Sequence, residues 1–264
     1  MTNEQAANFY ANRHITNHML KIDLNCDMGE GMHTDEAIMP YISSANIACG
    51  AHAGDEDTIK RTIALCIKHK VAAGAHPGFA DKKNFGRTAV KLSREALYDL
   101  FFSQVLLVKT IAAQMGAALH HVKPHGALYN MAATDKVYAQ TILKAVKDID
   151  PALVFYGLSN SYMTGEAKAL NVKAASEVFA DRTYQDDGTL TPRTKSNALI
   201  TDTSTAVKQA IQLVAENRVI SVTGKTVFVK ADTLCLHSDG AHAIVFAKTI
   251  FETLQQKGIS IETI

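Results

Sequence analysis

Short runs rich in β-branched and apolar residues alternate along this chain with longer stretches of helical periodicity, and that alternation most narrows its fold. Strands separated by crossover helices run parallel, because each helix returns the chain to the same edge of the sheet. The runs are 21–26, 45–49, 71–75, 119–123, 153–156, 172–179 and 233–237, with a weaker eighth, 226–229, that reads as a hairpin or an edge. One helical pattern starts at Asp55 and repeats Ile59, Ile63 and Ile67 every four residues; another runs from Ser93 to Gly116. Others cover 134–148, 203–217 and 241–257. Glu56 and Asp57 open the first helix and Lys68, His69 and Lys70 close it, which suits the helix dipole, with Asp55 as its expected N-cap. The polar segment 184–197 reads as a long loop. The predicted fold is α/β, a (β/α) barrel-like fold with about seven parallel strands. Residues 21–264 are expected to form a single catalytic domain behind a polar N-terminal extension, 1–20.

At 264 residues and 47% apolar composition, the chain can bury a sizeable core without staples. Its 27 basic and 26 acidic residues nearly cancel, which argues against nucleic acid and favours a small-molecule substrate. No uninterrupted apolar run approaches the ~20 residues of a membrane span, and the first twenty residues lack an apolar signal region. No membrane association and a cytoplasmic location are therefore expected. Cys26, Cys49, Cys66 and Cys235 show no paired spacing and read as buried, reduced thiols.

Chemistry-bearing residues gather where the strands end. Asn25 and Asp27 are followed by Gly29 and Glu30; Asn46 leads to Gly50, His52 and Asp55; His76 is followed by Gly78 and Arg87. His121, Lys123 and His125 close the fourth run, Glu177, Asp181 and Arg182 the sixth, and His237 the seventh. Parallel strands deliver such residues to one rim, where active sites of parallel barrels are built. Strand alternation puts Asp23, Asn25 and Asp27 on one face, and His121, Lys123 and His125 on another. Opposite them lie apolar residues that must meet the helices, so the polar faces are expected to line the barrel. Gly224-Lys225-Thr226 has the end of a phosphate-binding loop, but Val219 stands where its first glycine belongs.

The blocks 22–30, 45–55, 74–78, 121–130 with its Lys123-Pro124-His125-Gly126-Ala127-Leu128-Tyr129-Asn130 core, and 177–184 together resemble the LamB/YcsF family. One block departs: family members carry His-Gly-Asp-Thr-Pro-Gly-Ala where this chain has His237-Ser238-Asp239-Gly240-Ala241-His242-Ala243. The resemblance implies a barrel related to the glycoside hydrolase/deacetylase class. It also implies ATP-dependent hydrolysis of 5-oxo-L-proline to L-glutamate, with ATP as co-substrate and subunits B and C as partners. A homo-oligomer is compatible with it.

Lactam hydrolysis needs a base for water, an acid for the leaving nitrogen and a stabiliser for the oxyanion. Asp23 or Asp27 is the candidate base, oriented by His52 or His125, with Asp23 alternatively a buried partner of Lys123. Lys123 would stabilise negative charge, and Arg87 or Arg182 would hold the substrate carboxylate. His76 and His237 are candidate acids, and Asn25, Asn46 and Glu177 complete the expected binding set. Asp and His at neighbouring strand ends are metal-ligand types, but no HExxH-like spacing selects a set, so a divalent metal stays open. A stand-alone metal-dependent amidase or deacetylase, and a non-catalytic ligand-binding subunit, are the competing readings.

Overall fold

The computed structural model describes residues 20–236 and 243–264. His237 and residues 1–19 of the expected extension lie outside the described residues. Seven parallel strands close into a barrel: β1 (Lys21–Met28), β2 (Ser44–Ala48), β3 (Ala72–His76), β4 (Leu119–Val122), β5 (Val154–Leu158), β6 (Ala174–Phe179) and β9 (Thr233–Leu236). They pair in that order, and β9 returns to β1 with Asp23 opposite Thr233 and Asn25 opposite Cys235. The expected eighth run is β8 (Thr226–Phe228), which forms an antiparallel hairpin with β7 (Arg218–Ile220) outside the barrel. A short β10 (Ser260–Ile261) pairs in parallel with the beginning of β1.

Alternation along β1 sorts its residues. Ile22, Leu24, Cys26 and Met28 belong to the continuous apolar core, whereas Asp23, Asn25 and Asp27 hydrogen-bond across the barrel interior. Strand β1 outruns its expected end because Asp27 and Met28 go on pairing with Asn46 and Ile47 of β2.

The helices are α1 (Asp35–Ile38), α2 (Glu56–His69), α3 (Arg94–Gln114), α4 (Gly126–Thr134), α5 (Lys136–Ile149), α6 (Tyr162–Ala169), α7 (Thr203–Glu216) and α8 (Ala243–Gln256). Asp55 caps α2 by accepting from the Thr58 amide, and Ser93 caps α3 by accepting from Ala96. The helix expected over 134–148 forms as α5, which starts two residues later because Asp135 is extended and its carboxylate caps Val137 and Tyr138; α4 is an additional helix ahead of it. By length and composition alone the 21-residue α3 is apolar enough to cross a membrane, although Asp99 and Lys109 interrupt its apolar run. The helix packs on α5, β3 and β4 with Leu97, Phe101, Val105 and Val108 buried.

Candidate active site

The barrel interior is filled from the bottom by polar layers. In the lowest, Asp23 accepts hydrogen bonds from Ser43, Ser44 and Thr233, each at 2.6 Å. Burial raises its carboxyl pKa above the usual range. The structure therefore gives Asp23 hydroxyl partners rather than Lys123, and seats it below the cavity described next. His121 is level with it, stacked on Tyr156 with ring centroids 4.2 Å apart. Its Nε2–H donates to Asn46 Oδ1 at 2.8 Å. Gly74 makes room for this ring: a Cβ there would sit 2.1 Å from His121 Nε2.

The middle layer is organised around Lys123. Its Nζ lies 2.9 Å from Glu177 Oε1, 3.0 Å from Asp27 Oδ1 and 3.2 Å from Asn25 Oδ1. Burial opposes the charged ammonium, yet Asp27 and Glu177 hold its pKa well above the ordinary lysine value. Cys235 Sγ also lies 3.1 Å from Nζ, and burial keeps this sulfur a thiol. Asn46 Nδ2 donates to both Asn25 Oδ1 and Asp27 Oδ1, at 2.8 Å each. Each amide thus uses its oxygen and its nitrogen at once, which fixes its orientation.

Above this layer a cavity of about 410 Å³ opens, lined in part by Asp27, Glu30, His76, Lys123, His125 and Arg182. Arg87 reaches the same rim, and Tyr129, Phe179 and Pro192 add apolar wall. His76 Nδ1 faces the carbonyl of Lys123 at 2.7 Å, and His125 Nε2 that of Phe85 at 2.9 Å. Arg182 is buried and bonds backbone carbonyls, donating through Nη2 to Thr191 and through Nε to Ala198. Burial lowers its pKa to about 10, which leaves it cationic at neutral pH.

Of the residues expected in the site, Asp27, His76, Arg87, Lys123, His125 and Arg182 meet at this cavity. Asn25, Asn46 and Glu177 lie beneath it as supports, and His52 lies behind His125, stacked at 3.7 Å between centroids. His52 faces Glu30 at 3.2 Å rather than Asp27, so the expected orientation of the base by this imidazole is replaced by Lys123 and Asn46. Burial drives the His52 pKa down to about 3. Glu30 is an addition to the expected set, although it belongs to the block at the end of β1; a glutamate two residues beyond a strand has no alternation to betray its direction. Cys235 is a second addition, because an isolated strand cysteine reads as core.

The family model that describes the LamB/YcsF family matches residues 22–264. The chain belongs to the LamB/YcsF family. A relative from Tolumonas auensis, named as the A subunit of 5-oxoprolinase, is 49% identical over 249 residues, covering 92% of this chain and 99% of the relative. Another of that name from Brevibacillus brevis is 47% identical, with 92% and 98% covered. Among solved structures, a lactam utilization protein from Thermus thermophilus is 38% identical with a TM-score of 0.87, covering 93% of this chain and 100% of that one. A family 4 carbohydrate esterase from Streptomyces lividans, 11% identical with a TM-score of 0.51 and 93% of each chain covered, shares the barrel architecture of this LamB/YcsF member.

Proposed function

We propose that this chain is the A component of an ATP-dependent 5-oxoprolinase that opens 5-oxo-L-proline to L-glutamate together with subunits B and C. The cavity above Lys123 carries this reading. It joins a buried ammonium, two carboxylates and three guanidinium groups in a hollow of small-molecule size, in a chain whose relatives bear that name. The substrate is a small anion whose five-membered ring carries a planar amide. Arg182 and Arg87 supply cationic forks for its carboxylate, and Phe179 and Pro192 supply apolar surface for its methylenes.

Asp27 takes the proton from the attacking water and returns it to the ring nitrogen as the amide bond breaks. Its Oδ1 is held by Lys123 and Asn46, which leaves Oδ2 directed toward the cavity side, 3.3 Å from His76 Nε2. Lys123 balances the negative charge at the phosphorylated oxygen of the activated lactam as water adds to the adjoining carbon. His76 is not given the acid role, because a neutral ring has one N–H and that of His76 is committed to a carbonyl. Partner subunits transfer the γ-phosphoryl group of ATP to the lactam oxygen, releasing ADP; ring opening then leaves an acyl phosphate, which a second water hydrolyses to glutamate and inorganic phosphate. In support, Gly224-Lys225 lies in the turn of the β7–β8 hairpin, not ahead of a helix that could receive phosphates.

The test is glutamate release from 5-oxoproline, with and without ATP and with and without subunits B and C. Glutamate is expected only from the full mixture, and Asp27→Asn in the assembled enzyme should abolish it. No glutamate from the full mixture rejects the proposal. Glutamate from the chain alone without ATP would replace it by the stand-alone amidase.

A further inference from the structure

At the upper edge of the cavity, four side chains from different strand ends bring a nitrogen or oxygen atom to one spot. His76 Nε2 and His125 Nδ1 are 2.9 Å apart, His125 Nδ1 is 3.3 Å from Glu30 Oε1, and His76 Nε2 is 3.9 Å from that oxygen. The fourth is His52, whose Nε2 lies 3.2 Å from Glu30 Oε1.

The outer nitrogens decide what the inner ones carry. A backbone carbonyl only accepts, so His76 Nδ1 facing Lys123 O and His125 Nε2 facing Phe85 O must be the N–H positions. In neutral rings His76 Nε2 and His125 Nδ1 then both present lone pairs, to each other and to a carboxylate oxygen. Neither supplies a hydrogen bond, and three electron-rich atoms crowded together in a buried place need a cation among them. His52 differs: its Nδ1 has no hydrogen-bond partner, and its Nε2–H donates to Glu30. It serves as a hydrogen-bond donor that aims the carboxylate.

The backbone around this spot is shaped for the purpose. Phe85 adopts φ +56°, a left-handed conformation unfavourable for a bulky side chain, and its carbonyl meets His125. At Gly86, φ is +62° and a Cβ would come within 2.9 Å of the His52 Cβ.

We propose that Glu30, His76 and His125 form a divalent transition-metal site of the zinc class, with the carbonyls of Lys123 and Phe85 fixing both imidazoles and His52 orienting the glutamate. Ligands ~2.0–2.1 Å from a tetrahedral ion stand roughly 3.3 Å from one another. The three separations, 2.9, 3.3 and 3.9 Å, straddle that value without any rearrangement of the backbone. Two imidazoles and one carboxylate favour zinc, cobalt or a neighbouring metal over magnesium or calcium, which prefer all-oxygen sets. Imidazoles whose far nitrogen is tied to a carbonyl are the usual outer support of such ions. Three protein ligands leave one position toward the cavity, which is the pattern of sites that act on a bound molecule rather than merely brace a fold.

The site is tested on the isolated full chain, with no ATP, substrate or partner, so its failure is distinct from failure of the 5-oxoprolinase reading. Chelator-stripped protein is dialysed against Zn²⁺ or Co²⁺, and metal content, Co²⁺ visible absorption and thermal unfolding are recorded. One equivalent of metal per chain, the intense visible bands of four- or five-coordinate cobalt and a metal-dependent rise in Tm are expected. Glu30→Gln and His125→Gln should each weaken binding roughly 10-fold or more. If either variant fails to fold by circular dichroism, the other carries the test, and His52→Gln should show a smaller loss than both. Absence of uptake by the wild type, or equal uptake by the folded variants, overturns the proposal.

Discussion

Glu177 Oε1 stands 2.9 Å from Lys123 Nζ, with both side chains all but sealed from water. Removing one member of a buried pair strands the other charge, at a cost of about 3–5 kcal/mol. Lys123→Met leaves both Glu177 and Asp27 without their cation, so urea unfolding should show a loss of that size. Glu177→Gln keeps an oxygen for Asn25 and leaves Lys123 its Asp27 contact, so its loss should be smaller. Equal stability of Lys123→Met and wild type would dismiss this account of the middle layer.

Gly74 is where backbone must yield to a ring. In Gly74→Ala the new methyl would meet His121 Nε2 at 2.1 Å, and the ring must leave Asn46 or the strands must part. A destabilisation of about 1–3 kcal/mol is expected, the range for overpacked interiors. A melting temperature unchanged from wild type would count against the assigned ring position.

The barrel itself is legible in the sequence because parallel strands and crossover helices leave a two-period pattern, and all seven barrel runs form strands within two residues of their expected starts. Polar alternation in 23–27 also points correctly to an interior of hydrogen-bonded groups. Which polar residue meets which is not legible. Asp23 and Asp27 share a face, yet depth along the strand gives one three hydroxyls and the other an ammonium. The direction of Glu30 depends on the turn after β1, and the break between α4 and α5 rests on a single extended Asp135.

Stability should fall in mild acid through His121. Burial holds its imidazole pKa well below the ordinary 6.5, so below that pH the unfolded chain binds a proton that the folded protein refuses. The contribution is full above about pH 6.5 and declines below it, by up to ~1.4 kcal/mol for each further pH unit. Urea midpoints compared at about pH 7.5 and about pH 5.5 should drop less for His121→Gln, whose amide reaches Asn46 without titrating. Parallel declines in the two proteins would show that His121 is not the group responsible.

Arg182 both ties the 191–198 segment through two carbonyls and faces the cavity. Lysine has no fork to do both. In assembled enzyme, Arg182→Lys should raise KM for 5-oxoproline roughly 10- to 100-fold, the equivalent of one charged hydrogen bond, with a smaller effect on kcat. An unaltered KM with depressed kcat would move Arg182 out of carboxylate recognition.

Burial should also silence the thiols. All four cysteines are buried and unpaired, and the Cys66 thiol is pushed up to about 12. A disulfide-forming thiol reagent should therefore label none in native protein and all four in urea. Rapid native labelling of any would contradict the packing.

Asp23, His121 and Tyr156 stop the lower end of the barrel, and β10 runs alongside the first residues of β1. Among the described residues the barrel is thus a blind-ended vessel whose doorway is the cavity at the other end. Whatever is consumed and whatever is formed must share that doorway, so traffic is one-at-a-time, and a protein seated across the opening would have to lift away before the next turnover could begin.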